Sequence, residues 1–293
     1  MGPSELTIVL LSAVLHAVWS VAIKGSRDAV TFNLLQCGLA SAVALALLPF
    51  INLAEVPEAV WRITAMTSVA HAVYLFALSR ALETAEISLV YPIARSTPAF
   101  MPLIAIPLLG ESLSWLGALG IATVVSGMWL VSAGEGLRLR SLLQPGLGFA
   151  YLTLATTVAY GLFDKAAMTQ LAAASWTSPI PRPIFYFFML SLASSVLYLP
   201  LAVWRRGTSR LREVAETEWR TVLFACAISA GSYGLILEAL QTAPASYVVA
   251  VRQSSVLFVL VLSVLRFGER PSLVRVVGAC STVVGVALIG LSR

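Results

Sequence analysis

Two arginines stand inside strongly apolar segments of this chain. Arg95 lies in "ALETAEISLVYPIARSTPAFMPLIAIPLLGES" (81–112), and Arg252 lies in "ALQTAPASYVVAVRQSSVLFVLVLSVLRFGER" (239–270). A charged side chain at the middle of a bilayer costs about 2.5–3.5 kcal/mol on the insertion scale, so it needs a partner or a wet cavity. Each arginine is therefore either a cavity-lining cation that can meet a carboxylate or one half of a structural ion pair. The ion-pair interpretation has three candidate partners: Glu83, Glu86 and Glu238.

Polar side chains share a helical face with Arg95. Ser88, Tyr91 and Arg95 are spaced i, i+3, i+7, which places them on one side of a helix. The corresponding face of the second segment carries Ser246, Val249 and Gln253, with Arg252 adjacent. The two segments thus offer different groups at equivalent places, as a pocket for an asymmetric solute would.

Aromatic rings with polar tips occur well inside other apolar segments. His16 and Trp19 share one helical face, as do His71 and Tyr74, and Tyr160, Ser232 and Tyr233 stand at comparable depth. Interfacial tryptophan and tyrosine belong at segment ends, so these positions are unusual. The alternative for any single ring or histidine is simple packing. The predicted cavity residues are His16, Trp19, His71, Tyr74, Ser88, Tyr91, Arg95, Tyr160, Ser232, Tyr233, Arg252 and Gln253.

The elements that carry these residues are membrane spans. Of the 293 residues, 59% are hydrophobic and only 11% are charged, about half the charge of a soluble domain. A helix needs roughly 20 apolar residues to cross the hydrocarbon core. Ten such segments are predicted, at 5–24, 30–50, 59–80, 86–108, 113–133, 147–168, 184–204, 219–241, 244–266 and 271–291. The fold class is therefore all-α and integral to the membrane, and the longest polar connection is 205–220.

An internal repeat organises the ten segments. Residues 74–132 align without gaps to 232–290, and "WSVAIK" (19–24) aligns with "YGLFDK" (160–165). Identical pairs across the alignment include Ala81/Ala239, Thr84/Thr242, Ser88/Ser246, Ser96/Ser254, Glu111/Glu269, Gly120/Gly278 and Gly127/Gly285. Each repeat holds five segments, and an odd number inverts the second repeat relative to the first. We expect repeats at 1–144 and 145–293 within one domain, with a solute site between them.

Lysine and arginine are distributed unevenly between the two sides of the predicted bundle. One side holds Lys24, Arg27, Arg80, Arg138, Arg140, Arg205, Arg206, Arg210, Arg212, Arg220, Arg266, Arg270 and Arg275. The other side holds Arg62, Lys165, Arg182 and Arg293. The positive-inside rule makes the first side cytoplasmic, so both termini are predicted to be periplasmic. The net charge of +5 then reflects orientation and anionic lipid, and no nucleic-acid partner is expected.

Proline and glycine predict different roles for different segments. The fourth segment contains Pro92, Pro98, Pro102 and Pro107, which predicts a kinked helix that lines a cavity. Gly117, Gly120 and Gly127 form a stripe on the fifth segment, and Gly278 and Gly285 do so on the tenth. Small residues let helices approach closely, so these two segments are predicted to be scaffold.

The chain resembles the EamA type of the drug/metabolite transporter superfamily. The resemblance rests on ten segments in two fives, with "LGE-x-x-S" after the fourth and "FGE-x-x-S" after the ninth, and it covers essentially the whole chain. The subgroup it is most similar to is the YddG-like aromatic amino-acid exporters. The resemblance implies a multi-pass protein of a bacterial-type inner membrane that exports small amphipathic metabolites, amino acids among them, by alternating access. A drug or lipid-linked sugar exporter of the same fold is the alternative.

Enzyme and cofactor chemistry find no support in the sequence. No phosphate-binding loop or metal-binding helix is present, and the short connections could not supply the catalytic cluster of a membrane-embedded lipid-modifying enzyme. Cys37, Cys226 and Cys280 have no metal-ligand spacing, and no signal peptide is predicted. We expect no cofactor, no metal, and function as a monomer. Asp164–Lys165 is predicted to be a gate or interface pair near a helix end. No lone, deeply central carboxylate argues for proton antiport, so facilitated export or exchange is an equal alternative.

Overall fold

The computed structural model describes residues 1–26, 28–133, 142, 144, 146–267 and 271–292. Within them it contains twelve α-helices: α1 (Pro3–Lys24), α2 (Ala29–Leu47), α3 (Glu58–Thr84), α4 (Ile87–Ala94), α5 (Thr97–Leu109), α6 (Trp115–Ala133), α7 (Gly148–Ala173), α8 (Arg182–Arg206), α9 (Thr208–Thr242), α10 (Ala245–Arg252), α11 (Ser255–Phe267) and α12 (Leu273–Leu291). All ten predicted segments are helical, and two of them are divided into a pair of helices. The predicted repeat boundary at 144/145 falls where the description is incomplete, since 134–141, 143 and 145 lie outside it.

Eight segments of the described chain are long and apolar enough to cross a membrane. The apolar part of α6 is shorter, at Trp115–Val131. The helix α7 is long enough but carries Asp164, Lys165 and several threonines, and it is not among the eight. The structure therefore supports a multi-pass membrane protein, with eight of the ten predicted spans meeting this criterion.

Two segments break at aligned positions. The helix α4 ends at Ala94 and α5 begins at Thr97, while α10 ends at Arg252 and α11 begins at Ser255. The first break lies between Pro92 and Pro98, as proline chemistry predicts. The second has no proline and is made by tight turns in which Gln253 N–H bonds Ala250 O and Ser254 N–H bonds Val251 O, both at 3.0 Å. Proline therefore explains only one of the two breaks.

The polar stretch 205–220 is helical for most of its length, since α9 already begins at Thr208. An i,i+4 pair between Arg212 and Glu216, at 2.8 Å, is one contact that supports this extension. Gly207, with φ 75°, separates it from α8. The prediction of a polar connection is therefore wrong for this stretch, because its charges line the exposed side of a helix.

Helices α6 and α12 pack against each other through glycines. A Cβ on Gly127 would lie 2.5 Å from Gly278 O, and a Cβ on Gly120 would lie 2.8 Å from Gly285 O. The reverse contacts are equally short, at 2.6 Å and 2.7 Å. The backbones thus touch at two points, which confirms the predicted scaffold role of these glycines.

The turn after α5 joins three helices. Gly110 adopts φ 67° and ends α5, as glycine does at a helix C-terminus. Glu111 crosses to the start of α10, where it accepts hydrogen bonds from Ala245 N–H, from Ser246 N–H at 3.2 Å and from the Ser246 hydroxyl at 2.6 Å. Ser114 begins α6 and accepts from Gly117 N–H at 3.1 Å. The Gly-Glu-x-x-Ser pattern therefore caps three helix ends: the glycine ends α5, the glutamate caps the start of α10, and the serine caps the start of α6. Its second copy, at Gly268–Glu269, lies outside the described residues.

Helices of the two halves pack in cross pairs. The most extensive contacts are α6 with α12, α3 with α7, α1 with α9, and α2 with α8. The broken segments meet as well, through α5 and α10. This arrangement brings α1, α3, α4, α7, α9 and α10 around the predicted cavity residues.

Candidate functional site

Both arginines stand at the helix breaks. Arg95 directly follows α4, with its guanidinium carbon 5.5 Å from the Tyr91 ring centroid. Arg252 is the last residue of α10, with its guanidinium carbon 5.2 Å from the Tyr233 ring centroid. The aromatic face stabilises each cation.

The two positive charges share one electrostatic environment. Arg252 acts electrostatically on Arg95, and both charges act on His16 of α1 and Tyr74 of α3. Like charges held together in a poorly solvated place attract an anion. The breaks in the two segments therefore bring the charges of Arg95 and Arg252 near each other, although these residues are 157 positions apart in the sequence.

The ion-pair interpretation loses two of its three candidate partners. Glu83 pairs with Arg80 at 2.7 Å, and Glu238 accepts a hydrogen bond from Gln241 at 2.7 Å. No ion pair between described residues includes Arg95 or Arg252. Neither arginine therefore pairs with Glu83 or Glu238.

Aromatic residues of three helices form one cluster beside Arg252. His71 of α3 stacks on Tyr160 of α7 with ring centroids 4.1 Å apart, and Tyr74 meets Tyr160 edge-on at 5.7 Å. Tyr233 of α9 approaches His71 edge-on at 6.3 Å. The His71 Nδ1 lies 3.2 Å from Thr67 O, which makes this nitrogen the donor. Four of the predicted residues are therefore in direct contact.

His16 and Trp19 form a second, smaller group on α1. Their rings stack at 5.1 Å, and Trp19 Nε1–H donates to Gln36 Oε1 of α2 at 2.8 Å. The polar tip of Trp19 is thus already used between helices, and its ring also packs against the buried cluster of Phe32, Val222 and Ala225. Tyr91, on α4, is 39% exposed.

Other predicted residues have different placements. The Ser232 hydroxyl is 2% exposed and donates to Ser12 O at 3.0 Å, so it joins α9 to α1. Gln253 follows α10 at the position aligned with Arg95 and is partly buried. The side chain of Ser88 lies outside the described residues.

A buried carboxylate at the cluster was not predicted. Asp164 of α7 is 2% exposed and accepts hydrogen bonds from Tyr186 Oη at 3.0 Å and from Tyr233 Oη. It does not pair with Lys165, whose ammonium donates to Leu240 O at 2.8 Å. The predicted gate or interface pair is therefore not an ion pair between these two side chains, although Lys165 does contact α9. The segment was expected to end at 168, but α7 continues to Ala173, so Asp164 lies nine residues from the end of the helix, about 14 Å deep.

Two further hydroxyls at the breaks are buried without a partner among the described residues. These are Thr97 Oγ1, after the first break, and Ser254 Oγ, at the second. The residue aligned with Ser254 is Ser96, whose hydroxyl donates to Pro92 O at 2.7 Å and accepts from Trp129 Nε1–H at 2.9 Å. Unpaired buried hydroxyls are rare, and one explanation is a bound solute or water. Small polar residues flanking a break were the signal that could have identified them.

Comparisons with known proteins identify the family. The model of the EamA-like transporter family matches residues 3–133 and again residues 144–291. A search of curated proteins gave no significant match. A solved crystal structure is similar in fold, with a TM-score of 0.73 and 16% sequence identity over 99% of each chain. Because the two family matches together span nearly the whole chain, the protein belongs to the EamA-like transporter family, whose members are multi-pass membrane transporters.

Proposed function

We propose that this protein is a secondary transporter that exports small amphipathic metabolites, aromatic amino acids among them. The observation that carries the proposal is the pair Arg95 and Arg252, which share one environment without an ion-pair partner among the described residues. A solute carboxylate is a suitable counter-ion for them. The adjacent rings of His71, Tyr74 and Tyr160 supply apolar faces for a large side chain.

Transport takes place by alternating access between two inverted five-helix repeats, 1–144 and 145–293. Three observations support the repeats. The family model matches twice, and both central segments break at aligned positions. The sequence alignment of the repeats also maps the contact of Gly127 with Gly278 onto the contact of Gly285 with Gly120. Because α1 aligns with α7 and α3 aligns with α9, the alignment also maps the contact of α1 with α9 onto the contact of α7 with α3. In such folds the solute site lies at the interface of the repeats, which is where the arginines stand.

Efflux and counterflow in proteoliposomes test the proposal. Purified protein is reconstituted with a panel of labelled amino acids, a cationic drug and a lipid-linked sugar, with empty liposomes as the control. We expect counterflow of Phe, Trp, Met and Leu that exceeds that of Lys and Asp. Counterflow of the drug or of the lipid-linked sugar alone would contradict the amino-acid proposal and favour the alternative exporter of the same fold.

A further inference from the structure

Asp164 is a buried carboxylate that no described cation pairs with. It is 2% exposed, and no ion pair between described residues includes it. Two tyrosine hydroxyls, from α8 and α9, donate to its two oxygens. An ionised group removed from water is costly, and uptake of a proton is the usual way in which that cost is avoided.

The hydrogen-bond network around Asp164 is complete in both protonation states. Tyr186 Oη lies 3.0 Å from Asp164 Oδ1 and 3.3 Å from Thr67 Oγ1, so its proton has two acceptors. With Asp164 ionised, the Tyr186 O–H donates to the carboxylate. With Asp164 protonated, the carboxyl O–H donates to Tyr186 Oη, and the Tyr186 O–H rotates to Thr67. In both states each oxygen of Asp164 and the Tyr186 Oη keeps a hydrogen-bond partner.

One aromatic ring connects Asp164 to Arg252. Tyr233 donates to Asp164 through its hydroxyl, and the Arg252 guanidinium lies over the same ring, 5.2 Å from its centroid. The charge of Arg252 also acts on Asp164, with a smaller effect than the two tyrosine hydroxyls. An ionised Asp164 therefore offsets part of the charge with which Arg252 attracts an anion.

We propose that Asp164 is a proton-binding site that controls the affinity of Arg252 for the carboxylate of the transported solute, an inference that rests on the proposed function. A proton from water binds an oxygen of Asp164 and leaves later as the same ion, with no other bond changed. Protonation removes the competing negative charge, so Arg252 binds the carboxylate more tightly. Because coupling is reciprocal, the bound carboxylate in turn favours protonation of Asp164.

Other titratable or charged groups lie on α7 and on the helices packed against it. They are His71 on α3, Tyr91 on α4 with Arg95 directly after it, Tyr160 and Lys165 on α7 itself, Tyr186 on α8, Tyr233 on α9 and Arg252 on α10. The helix α5 contributes no titratable residue. The imidazole of His71 is the other side chain of this set that readily takes up a proton, so the experiment must separate it from Asp164.

The first measurement needs no solute. The infrared absorbance of protonated carboxyl groups is followed across pH in the purified protein, in Asp164→Asn and in Glu238→Gln, a matched control at an exposed carboxylate. We expect one titrating band that is absent only from D164N. In Tyr186→Phe, the band should persist to higher pH because the carboxylate has lost a donor. If the infrared spectra of D164N and of the wild type are the same at every pH measured, Asp164 is not a proton-binding site.

The second measurement is the affinity for labelled Phe at about pH 5 and about pH 8. We expect binding about tenfold tighter at the lower pH in the wild type, and tight binding at both pH values in D164N. A gain of affinity cannot come from misfolding. If D164N keeps the pH dependence of the wild type, His71 or His16 carries it and the coupling is overturned. If no panel solute binds while the Asp164 band titrates, the proton site stands and the amino-acid proposal fails.

Discussion

At the scale of single residues, Arg95 and Gln253 occupy aligned positions, each directly after the short first helix of a broken segment. Two aligned residues of inverted repeats face each other across the central cavity if the proposal is correct. We expect that a cysteine at either position, in a background without Cys37, Cys226 and Cys280, reacts with a small polar thiol reagent. Labelled Phe should slow both reactions.

The matched control for this labelling is Ala250→Cys. Ala250 is fully buried in α10 and should stay unreactive. If cysteines at both aligned positions are also unreactive in a protein that still transports, Arg95 and Gln253 are buried structural residues and the site lies elsewhere.

Trp19 and Tyr91 test the aromatic character of the pocket. Trp19→Leu and Tyr91→Leu each remove a ring face, and we expect Phe counterflow to fall by about three- to tenfold, the value of a typical aromatic contact. Trp19→Leu also leaves Gln36 Oε1 without its donor, at about 1 kcal/mol of stability. Trp204→Leu is the control, since Trp204 is 80% exposed. Unchanged Phe transport by both pocket variants would end the aromatic-pocket proposal and leave the family assignment intact.

The residue scale is also where sequence reasoning failed most clearly. The contacts among His71, Tyr74, Tyr160 and Tyr233 follow from depth in the membrane, which apolar segments reveal. The position of Asp164 could not be predicted in the same way. Its distance from the helix end depends on where α7 ends, and its hydrogen-bond partners come from α8 and α9. A segment boundary that was too early by five residues made Asp164 look like a residue near a helix end.

At the scale of elements, the glycine contact between α6 and α12 has a sharp test. Gly127→Ala places a Cβ 2.5 Å from Gly278 O, so the helices must separate. We expect a loss of about 1–3 kcal/mol, measured as a lower thermal midpoint in detergent. Gly38→Ala is the matched control, because its Cβ meets nothing within 4 Å inside α2. There we expect no loss, and a gain of up to about 1 kcal/mol. Equal midpoints for the two variants would contradict the close packing.

Glu111 offers a second test at this scale. Glu111→Ala removes the cap from the start of α10, which we expect to cost about 0.5–2 kcal/mol of stability. Glu58→Ala is the control, at a side chain that is 84% exposed. The measurement is again the thermal midpoint, together with Phe counterflow. A midpoint no lower than that of the control would show that the cap does not stabilise α10.

Element boundaries divide into those that a sequence reveals and those that it does not. Apolar length located all ten segments, and Pro92 and Pro98 indicated the first break. The break at Gln253 has no such residue, and it consists of tight turns in which the N–H groups of Gln253 and Ser254 bond Ala250 O and Val251 O. The extension of α9 to Thr208 was missed since its polar composition resembles a loop.

At the scale of the whole molecule, the connection after α2 binds the connection before α8. The Thr177 hydroxyl and backbone N–H donate to Glu55 at 2.6 Å and 2.8 Å, and Ser178 donates to Phe50 O at 2.9 Å. The hydrogen bonds from Thr177 lower the pKa of the Glu55 carboxyl below its ordinary value. Their contribution to stability is therefore present above the ordinary pKa of 4.5 and is lost as the pH falls through the lowered value.

Orientation in the membrane is the remaining prediction at this scale. Of the seventeen lysines and arginines assigned to one side of the membrane or the other, thirteen lie on the side predicted to be cytoplasmic. Several of the thirteen, such as Arg138 and Arg270, are outside the described residues. We expect a reporter fused after Arg293 to be active in the periplasm. A reporter fused within 134–141 is the control and should be active in the cytoplasm. Cytoplasmic activity of the C-terminal fusion, in a protein that still transports, would reverse the assignment.

The short helix α10 has a mechanical consequence. Its first residue, Ala245, is held by Glu111, and its last residue is Arg252, at the site. Eight residues of helix form a stiff rod about 12 Å long, too short to bend. A displacement at the capped end is therefore transmitted to the guanidinium at the other end. Glu111 and the backbone of Arg252 are therefore attached to opposite ends of one rigid helix, and a rigid-body movement of α10 displaces both.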